Sequence, residues 1–339
     1  MIYTENFENI TVTGGGKISG SGRSYTNEPE ISEPLFALCE FNLYTRIIEA
    51  RKRIRFSKTK NRHSVLKFKS CKNIVVDNVI LDESASWTPV IESCDNVMIK
   101  NIVIDNDMRV ANTDGIDLFG DGCVIESCFI AMGDDAIVLK PIYNKISNVK
   151  ISNCVMTTFA NCFKIGTESP CDVENVKMQG CKFFLPDEIT GGYSGIGIES
   201  ADGANIDGVK ISDIEMDGIS SPFLVWLGNR LKYDNKKVGS IKNILISNVN
   251  AVNTELPSAI TGCKVGDEIY KVKNVKLENI KSVYRSTAEQ LTVREKPSDI
   301  SMTVIPKFQG YRITISIRTK TASIGICPAI PCLSDMRKT

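Results

Sequence analysis

Three aspartates in two short motifs are the residues whose types and spacing suggest chemistry. Asp114 lies in NTDGIDL (Asn112 to Leu118), and Asp134 and Asp135 lie in GDDAIVLK (Gly133 to Lys140). Carboxylates that are held close together cannot all titrate normally, because like charges raise at least one pKa. Such a cluster would place a general acid beside a general base.

An internal repeat explains how residues so far apart in sequence could meet. An Asn, or another small or polar residue, precedes an alternating strand, and a second such residue follows five positions later. Successive units are about 23 to 35 residues apart. The pairs are Asn73/Asn78, Asn96/Asn101, Gly122/Ser127, Asn148/Asn153, Asn175/Gly180, Gly208/Asp213, Asn243/Asn248 and Asn274/Asn279.

The segments between these markers alternate apolar and polar residues, as in NVKISNCVM and NILISNVNA. That period of two is typical of half-buried strands. The repeat therefore predicts an all-β, right-handed parallel β-helix of about eight to ten coils. Adjacent coils would lie about 4.8 Å apart. Asp114 and Asp135 are about one coil apart, so the fold would bring them onto neighbouring rungs.

The domain boundaries follow from where the repeat is interrupted. Residues 1–285 are predicted to form a single β-helix domain with an irregular, basic insert at about 40–65. Residues 286–339 lose the Asn markers and are predicted to be an irregular tail or cap, or a non-native end of the chain. The long steps after Gly180 predict loops near 185–192, 227–238 and 254–267, which would line a binding face.

Composition excludes several classes of function. Of 339 residues, 41 are basic and 40 acidic, which gives a formal net charge of +1 and suggests neither nucleic-acid nor membrane binding. No apolar run is long enough for a membrane span, and the polar start MIYTENFENI does not resemble a signal peptide. We therefore expect a cytoplasmic protein, or a secreted one if the N-terminus is truncated. The oligomeric state is not predicted.

The 12 cysteines could form six disulfides in a secreted protein. Cys128, Cys154 and Cys181, however, occupy the same place in successive repeats. That position favours free thiols stacked in the core. With a single histidine (His63) and no CxxC pair, no structural metal site and no cofactor are expected.

NTDG followed one coil later by GDDA, within such a repeat, resembles the polygalacturonases of glycoside hydrolase family 28. The resemblance covers about residues 9–282. It implies hydrolysis of a glycosidic bond with inversion, on a poly- or oligosaccharide partner. Asp134 would be the general acid that protonates the leaving oxygen, and Asp114 and Asp135 would activate water. Inversion usually requires acid and base carboxyls about 6.5 to 9.5 Å apart.

The sequence departs from the family at two other places. Asn161 stands where the family has a histidine that supports the acid, and Lys164 and Glu168 are the nearest charged alternatives. Gly197 and Glu199 stand where the family's Arg-x-Lys binds a substrate carboxylate. A glutamate there would repel a uronate.

Three interpretations fit the missing Arg-x-Lys pair. The substrate could be a neutral sugar beside a uronate, as in rhamnogalacturonan-like chains. Lys140, Lys164 or Arg230 could supply the positive charge from another coil, with Trp226 stacking on a sugar ring or filling the core. The site could also have lost activity.

The first prediction for function is a metal-free hydrolase of a galacturonan- or rhamnogalacturonan-type glycan, with exo action suggested by the long loops. A second is a Ca²⁺-dependent polysaccharide lyase with Lys140 or Lys164 as base, because clustered carboxylates attract hard cations. A third is a noncatalytic glycan-binding β-helix.

Overall fold

The structure is a computed structural model. It describes residues 1–26, 61–186, 193–230, 237–254 and 258–284, together with the backbone of 30–31, 52–53, 291–294 and 300–303. The basic insert and the tail beyond residue 303 lie largely outside these ranges, as do parts of the three predicted loops. The one helix in the described ranges is a 3₁₀ turn at Gly22–Tyr25, and no described helix is long and apolar enough to cross a membrane.

All other regular structure is β. The first strands are β1 (Ile2–Glu5), β2 (Glu8–Val12), β3 (Lys17–Ser19), β4 (Glu30–Ile31), β5 (Lys52–Arg53), β6 (Leu66–Lys69), β7 (Lys72–Asp77), β8 (Ile80–Asp82), β9 (Pro89–Lys100) and β10 (Val103–Asp105). Next come β11 (Ile116–Glu126), β12 (Phe129–Met132), β13 (Ile137–Leu139), β14 (Ile146–Ser152), β15 (Val155–Thr158), β16 (Phe163–Ile165), β17 (Val173–Gln179), β18 (Lys182–Phe184) and β19 (Ser194–Ser200). The last are β20 (Asn205–Asp217), β21 (Ser221–Leu227), β22 (Ser240–Thr254), β23 (Ser258–Thr261), β24 (Cys263–Val265), β25 (Glu268–Tyr270), β26 (Lys273–Tyr284), β27 (Leu291–Arg294) and β28 (Ile300–Thr303).

Of these strands, β4 with β5 and β24 with β25 form two separate antiparallel pairs. The other 24 stack in three parallel rows. The first sheet contains β1, β6, the start of β9, the start of β11, β13, β16, β19, β21, β23 and β27. The second contains β2, β7, the later parts of β9 and β11, then β14, β17, β20, β22, β26 and β28. The third begins with β3, β8, β10, β12, β15 and β18 and continues along the ends of the long later strands. The fold is therefore the predicted all-β, right-handed parallel β-helix.

The marker residues of the repeat form the bends. All sixteen have φ between 48° and 73°, in the left-handed region that Asn and Gly tolerate best. Their amides also bond along the stack. Nδ2 of Asn96 donates to Oδ1 of Asn73 at 2.7 Å, and Nδ2 of Asn175 donates to Oδ1 of Asn148 at 2.6 Å. Asparagine thus stabilises both the bend and the contact between coils.

The core consists of apolar columns that run from coil to coil. One column of the second sheet passes through Ile99, Ile125, Ile151, Met178 and Ile211, each no more than 2% exposed. Cys128, Cys154 and Cys181 are equally buried, and they are among nine free cysteines in the described ranges. Because each layer is filled by stacked apolar residues of similar volume, the sequence repeats the apolar character of a position and not the exact residue.

The ladder continues past the expected boundary at residue 285. The backbone of Leu291–Arg294 pairs with β23, and the backbone of Ile300–Thr303 pairs with β26. Residues 285–303 contain no Asn, so the repeat pattern does not reveal these two strands. The predicted tail beyond residue 303 lies outside the described residues.

Candidate active site

Neighbouring rungs of the first sheet bring the three aspartates together. β11 pairs with β13 in the register Ile116 to Ile137, and the amide of Gly115 donates to the carbonyl of Asp135 at 2.8 Å. Asp114 therefore lies one rung from Asp135, as the repeat predicts. At least one carboxylate oxygen from each of Asp114, Asp134 and Asp135 lies within 4.8 Å of the others.

This spacing is shorter than the separation expected for an inverting glycosidase. Carboxyl groups in inverting glycosidases are commonly about 6.5 to 9.5 Å apart, and those in retaining enzymes about 5 to 5.5 Å. The nearest oxygens here are closer than either range, although nearest-atom distances run below the separation of carboxyl centres. The stereochemical outcome therefore stays a prediction.

Asp135 is fixed from the following rung. Oδ1 of Asp135 accepts from Nδ2 of Asn161 at 2.6 Å and from the Asn161 amide at 3.2 Å. Ser194, one rung further, donates to Oδ1 of Asn161 at 2.8 Å and so orients its amide group. The Lys164 ammonium lies 3.2 Å from Oδ2 of Asp135. Both oxygens of this buried carboxylate thus have donors.

A buried lysine, Lys140, holds Asp114 in place. Nζ of Lys140 lies 2.7 Å from Oδ2 of Asp114 and 2.6 Å from Oδ1 of Asp117. Asp117 is fully buried, and its Oδ2 has no hydrogen-bond donor in the described part of the chain. The same ammonium sits 3.9 Å from the ring centroid of Trp87, which closes the pair on a third side.

Asp134 differs from the other two in exposure. Asp114 and Asp135 are each 4% exposed, whereas Asp134 is only partly buried. Its Oδ2 accepts from the amide of Asn112 at 3.2 Å and its Oδ1 from the amide of Asp135 at 3.1 Å. Among the three carboxylates, Asp134 is the most accessible to a bound molecule.

Burial and charge shift the titration of this cluster. Burial, followed by the charge of Asp117, raises the pKa of Asp114 well above its usual value, and Lys140 opposes the shift. Burial raises the pKa of Asp117 to about 6, although the charge and hydrogen bond of Lys140 act to lower it. Burial alone would lower the pKa of Lys140, but Asp117 and Asp114 raise it above its ordinary value. The lysine therefore stays charged, and the carboxylates compete for it.

The pKa of Lys164 is also raised. Burial by itself would lower it, but the charges of Asp135, Glu199, Asp134 and Glu168 outweigh that effect. Each of the two deeply buried aspartates thus has a charged lysine beside it. An adjacent ammonium favours the ionised form of a carboxyl group.

The remaining predicted site residues lie on later coils. Glu199 is 3% exposed and accepts from Oγ1 of Thr167 at 3.0 Å. Arg230 forms two hydrogen bonds to the buried Asp202, one of them 3.0 Å from Nε to Oδ1, and its Nη1 lies 3.5 Å from Glu168. Trp226 is only 6% exposed, so most of its ring contacts protein. Their roles in substrate binding stay predictions.

Sequence reasoning did not select four residues that shape the site. These residues are Asp117, Ser194, Trp87 and Asp202. Asp117 could have been selected from the sequence, because it lies within the first motif. It also alternates with the core residues Ile116 and Leu118, so its side chain points to the opposite face of the strand. The other three are ordinary residues outside the motifs, and only the register of the coils shows their proximity.

Comparison with known proteins identifies the family. A model of the Glycosyl hydrolases family 28 matches residues 1–288. The chain belongs to this family. It is therefore a polygalacturonase-like glycosidase. A search of curated proteins found no match.

Solved structures share the fold of this glycosidase at low sequence identity. A hyperthermoactive exopolygalacturonase from Thermotoga maritima has 20% identity and a TM-score of 0.59, covering 88% of this chain and 71% of that one. The family 28 exopolygalacturonase of Yersinia enterocolitica has 14% identity and a TM-score of 0.60, covering 94% and 61%. The endo-xylogalacturonan hydrolase of Aspergillus tubingensis has 16% identity and a TM-score of 0.61, covering 91% and 80%. This chain thus spans less than two thirds of the Yersinia protein, and the likeness at these identities concerns the fold.

Proposed function

We propose that this family 28 glycosidase hydrolyses a galacturonan- or rhamnogalacturonan-type poly- or oligosaccharide by acid/base catalysis with inversion. The observation that carries the proposal is the pairing within the cluster. Asp114 and Asp135 each contact a charged lysine, at 2.7 and 3.2 Å, whereas Asp134 is the most exposed of the three. This arrangement matches two buried carboxylates that are each held by a lysine and one that meets the substrate.

In the proposed reaction, the carboxyl proton of Asp134 passes to the glycosidic oxygen as the bond from that oxygen to the anomeric carbon breaks. A water held between Asp114 and Asp135 attacks the anomeric carbon and gives up a proton to one of them. The products are two shorter saccharides, and exchange with solvent restores the protonation states. No oxidant, reductant or metal enters this balance.

The substrate proposal follows from the missing Arg-x-Lys pair. Gly197 has no side chain, and Glu199 is a buried acid that the resemblance aligns with the family's lysine for a uronate. The three cations considered as replacements all contact carboxylates of the chain: Lys140 with Asp114, Lys164 with Asp135, and Arg230 with Asp202. A uronate at this subsite would compete with those pairs and meet Glu199. We therefore favour a neutral sugar there, beside a uronate elsewhere in the chain.

A Ca²⁺-dependent lyase is the second candidate, because three carboxylates with oxygens within 4.8 Å of one another could hold a cation. The charge balance argues against it. Lys140 and Lys164 already neutralise part of the negative charge of the cluster, and a divalent cation would lie close to both ammonium groups. A lyase would leave an unsaturated product, whereas a hydrolase leaves none.

The experiment is a panel of galacturonan, xylogalacturonan and rhamnogalacturonan oligosaccharides, assayed for reducing ends and ultraviolet-absorbing product with and without chelator. We expect chelator-insensitive release of reducing ends, no unsaturated product, and higher activity on rhamnogalacturonan-type chains than on pure galacturonan. Release of only terminal units would support exo action. Chelator-sensitive, ultraviolet-absorbing product would establish the lyase, and binding without turnover would favour a noncatalytic β-helix.

A further inference from the structure

We propose that Lys140 is a positioning residue that holds Asp114 in place and favours its ionised form, and that Lys140, Asp117 and Trp87 form one unit for this purpose. The inference rests on the proposed function, because it assigns Asp114 a role in activating water. It differs from the sequence-based prediction, in which Lys140 contacts the substrate.

The accessibility of Lys140 argues against direct contact with substrate. Its side chain is 6% exposed. The backbone on either side is also fixed, since the amide of Lys140 donates to the carbonyl of Leu118 at 2.9 Å and its carbonyl accepts from the amide of Ile142 at 2.7 Å. The ammonium is therefore buried against Asp114 and Asp117 and is poorly accessible to a bound saccharide.

The three contacts of the ammonium orient it toward Asp114. Asp117 lies 2.6 Å away, Asp114 lies 2.7 Å away, and the Trp87 ring lies at 3.9 Å. Two carboxylates and one aromatic face leave little freedom for a flexible lysine. A buried ammonium without such partners would be strongly disfavoured. The contacts with Asp117 and Trp87 thus allow a charged, buried lysine to lie beside Asp114.

The surrounding charges show why Asp114 needs this lysine. Asp117 lies on the same strand, and Asp134 and Asp135 face it from the turn before β13, so three carboxylates disfavour its ionisation. On β9, the nearest charged group is Glu92, which pairs with Lys67 of β6 at 2.7 Å. On β16, Lys164 faces Asp135 at 3.2 Å. Lys140 is the cation that contacts Asp114 itself.

Trp87 adds a barrier to water. The amide of its neighbour Thr88 donates to the carbonyl of Asp114 at 3.0 Å, which places Trp87 at the rung directly before the cluster. Its ring packs 5.8 Å from that of Phe119, which in turn lies 5.7 Å from Tyr143. This aromatic row covers the ion pair at one edge, and exclusion of water strengthens the attraction between the charges.

The test compares Lys140→Met with Lys140→Arg, with Asp117→Asn, with the double variant Lys140→Met/Asp117→Asn, and with Lys100→Met as a matched control. Lys100 pairs with Asp77 on the second sheet at 3.6 Å and is 36% exposed. Two readouts are needed: the pH profile of kcat/KM on the best oligosaccharide of the panel, and titration of the Asp114 carboxyl carbon by NMR in protein labelled at aspartate. Asp114→Asn assigns that resonance.

We expect Lys140→Met to move the acid limb of the profile and the titration of Asp114 to higher pH. At pH values below the new limb, kcat/KM should fall by about tenfold or more. The double variant should recover part of the shift, because it also removes the repelling charge of Asp117. In Lys140→Arg the acid limb and the Asp114 titration should move less than in Lys140→Met. In Lys100→Met both should match those of the wild type.

The NMR readout separates this inference from the proposed function. If no oligosaccharide is turned over but Asp114 titrates higher in Lys140→Met, the glycosidase mechanism fails and the electrostatic role of Lys140 stands. An unchanged Asp114 titration in a folded Lys140→Met protein would overturn the inference, whatever the activity. If Lys140→Met does not fold, the double variant carries the comparison, and a profile and titration unchanged from those of Asp117→Asn would equally overturn it.

Discussion

Asp134→Asn is expected to lower kcat by about 10² to 10⁴ while the fold and the substrate affinity stay close to those of the wild type. Asparagine keeps one oxygen, which can accept from the amide of either Asn112 or Asp135, so one of the two backbone contacts persists and the change in volume is small. It cannot, however, deliver a proton to the glycosidic oxygen. The measurement is kcat and KM on the oligosaccharide that the wild type turns over, with circular dichroism to verify folding.

Asp95→Asn is a suitable control for this prediction. Asp95 is exposed and lies on the second sheet, so the substitution makes the same chemical change away from the cluster. The control should keep wild-type kcat. If Asp134→Asn were as active as Asp95→Asn, Asp134 could not be the general acid, and the assignment of the three carboxylates would have to be revised.

Gly115→Ala is expected to reduce both stability and activity. A Cβ atom at this position would lie 2.1 Å from the carbonyl oxygen of Ala136 and 2.9 Å from Cγ2 of Ile130. The contact with the Ala136 carbonyl involves backbone, so it can be relieved only if the rungs that carry Asp114 and Asp135 shift apart. Overpacking of this kind costs about 1 to 3 kcal/mol, and a displacement of about 1 Å at reacting groups can cost about 10² in rate.

Gly16→Ala provides the comparison, because a Cβ there would have no heavy atom within 4 Å. We expect the melting temperature and kcat/KM to fall in Gly115→Ala and to be unchanged in Gly16→Ala. Equal values for the two variants would show that the close approach of these rungs does not determine the geometry of the site.

The fold was predictable because the repeat encodes its own bends. Asn73, Asn96 and Asn148 adopt positive φ and join ladders of amide hydrogen bonds, so a sequence marker corresponds to one backbone conformation. The strands Leu291–Arg294 and Ile300–Thr303 lack such markers, so the repeat pattern does not indicate them, although their backbones pair with β23 and β26.

The aspartate cluster was predictable for the same reason, since the spacing of Asp114 and Asp135 matches one coil. The pairing of each cation with its carboxylate was not predictable from the repeat. Arg230 is far from Asp202 and Glu168 in sequence, and Lys140 is closer in sequence to Asp135 than to the Asp114 that it contacts. Which cation meets which carboxylate depends on side-chain direction and loop length, and periodicity specifies neither.

Stereochemistry tests the central claim most directly, because a single displacement by water requires inversion at the anomeric carbon. Hydrolysis of the best oligosaccharide should be followed by proton NMR from the first turnovers, before mutarotation mixes the anomers. The account predicts that the first product carries the anomeric configuration opposite to that of the bond cleaved. A first product that retains the configuration would indicate a covalent intermediate on one carboxylate, and would contradict the assignment of Asp114 and Asp135 as the pair that activates water.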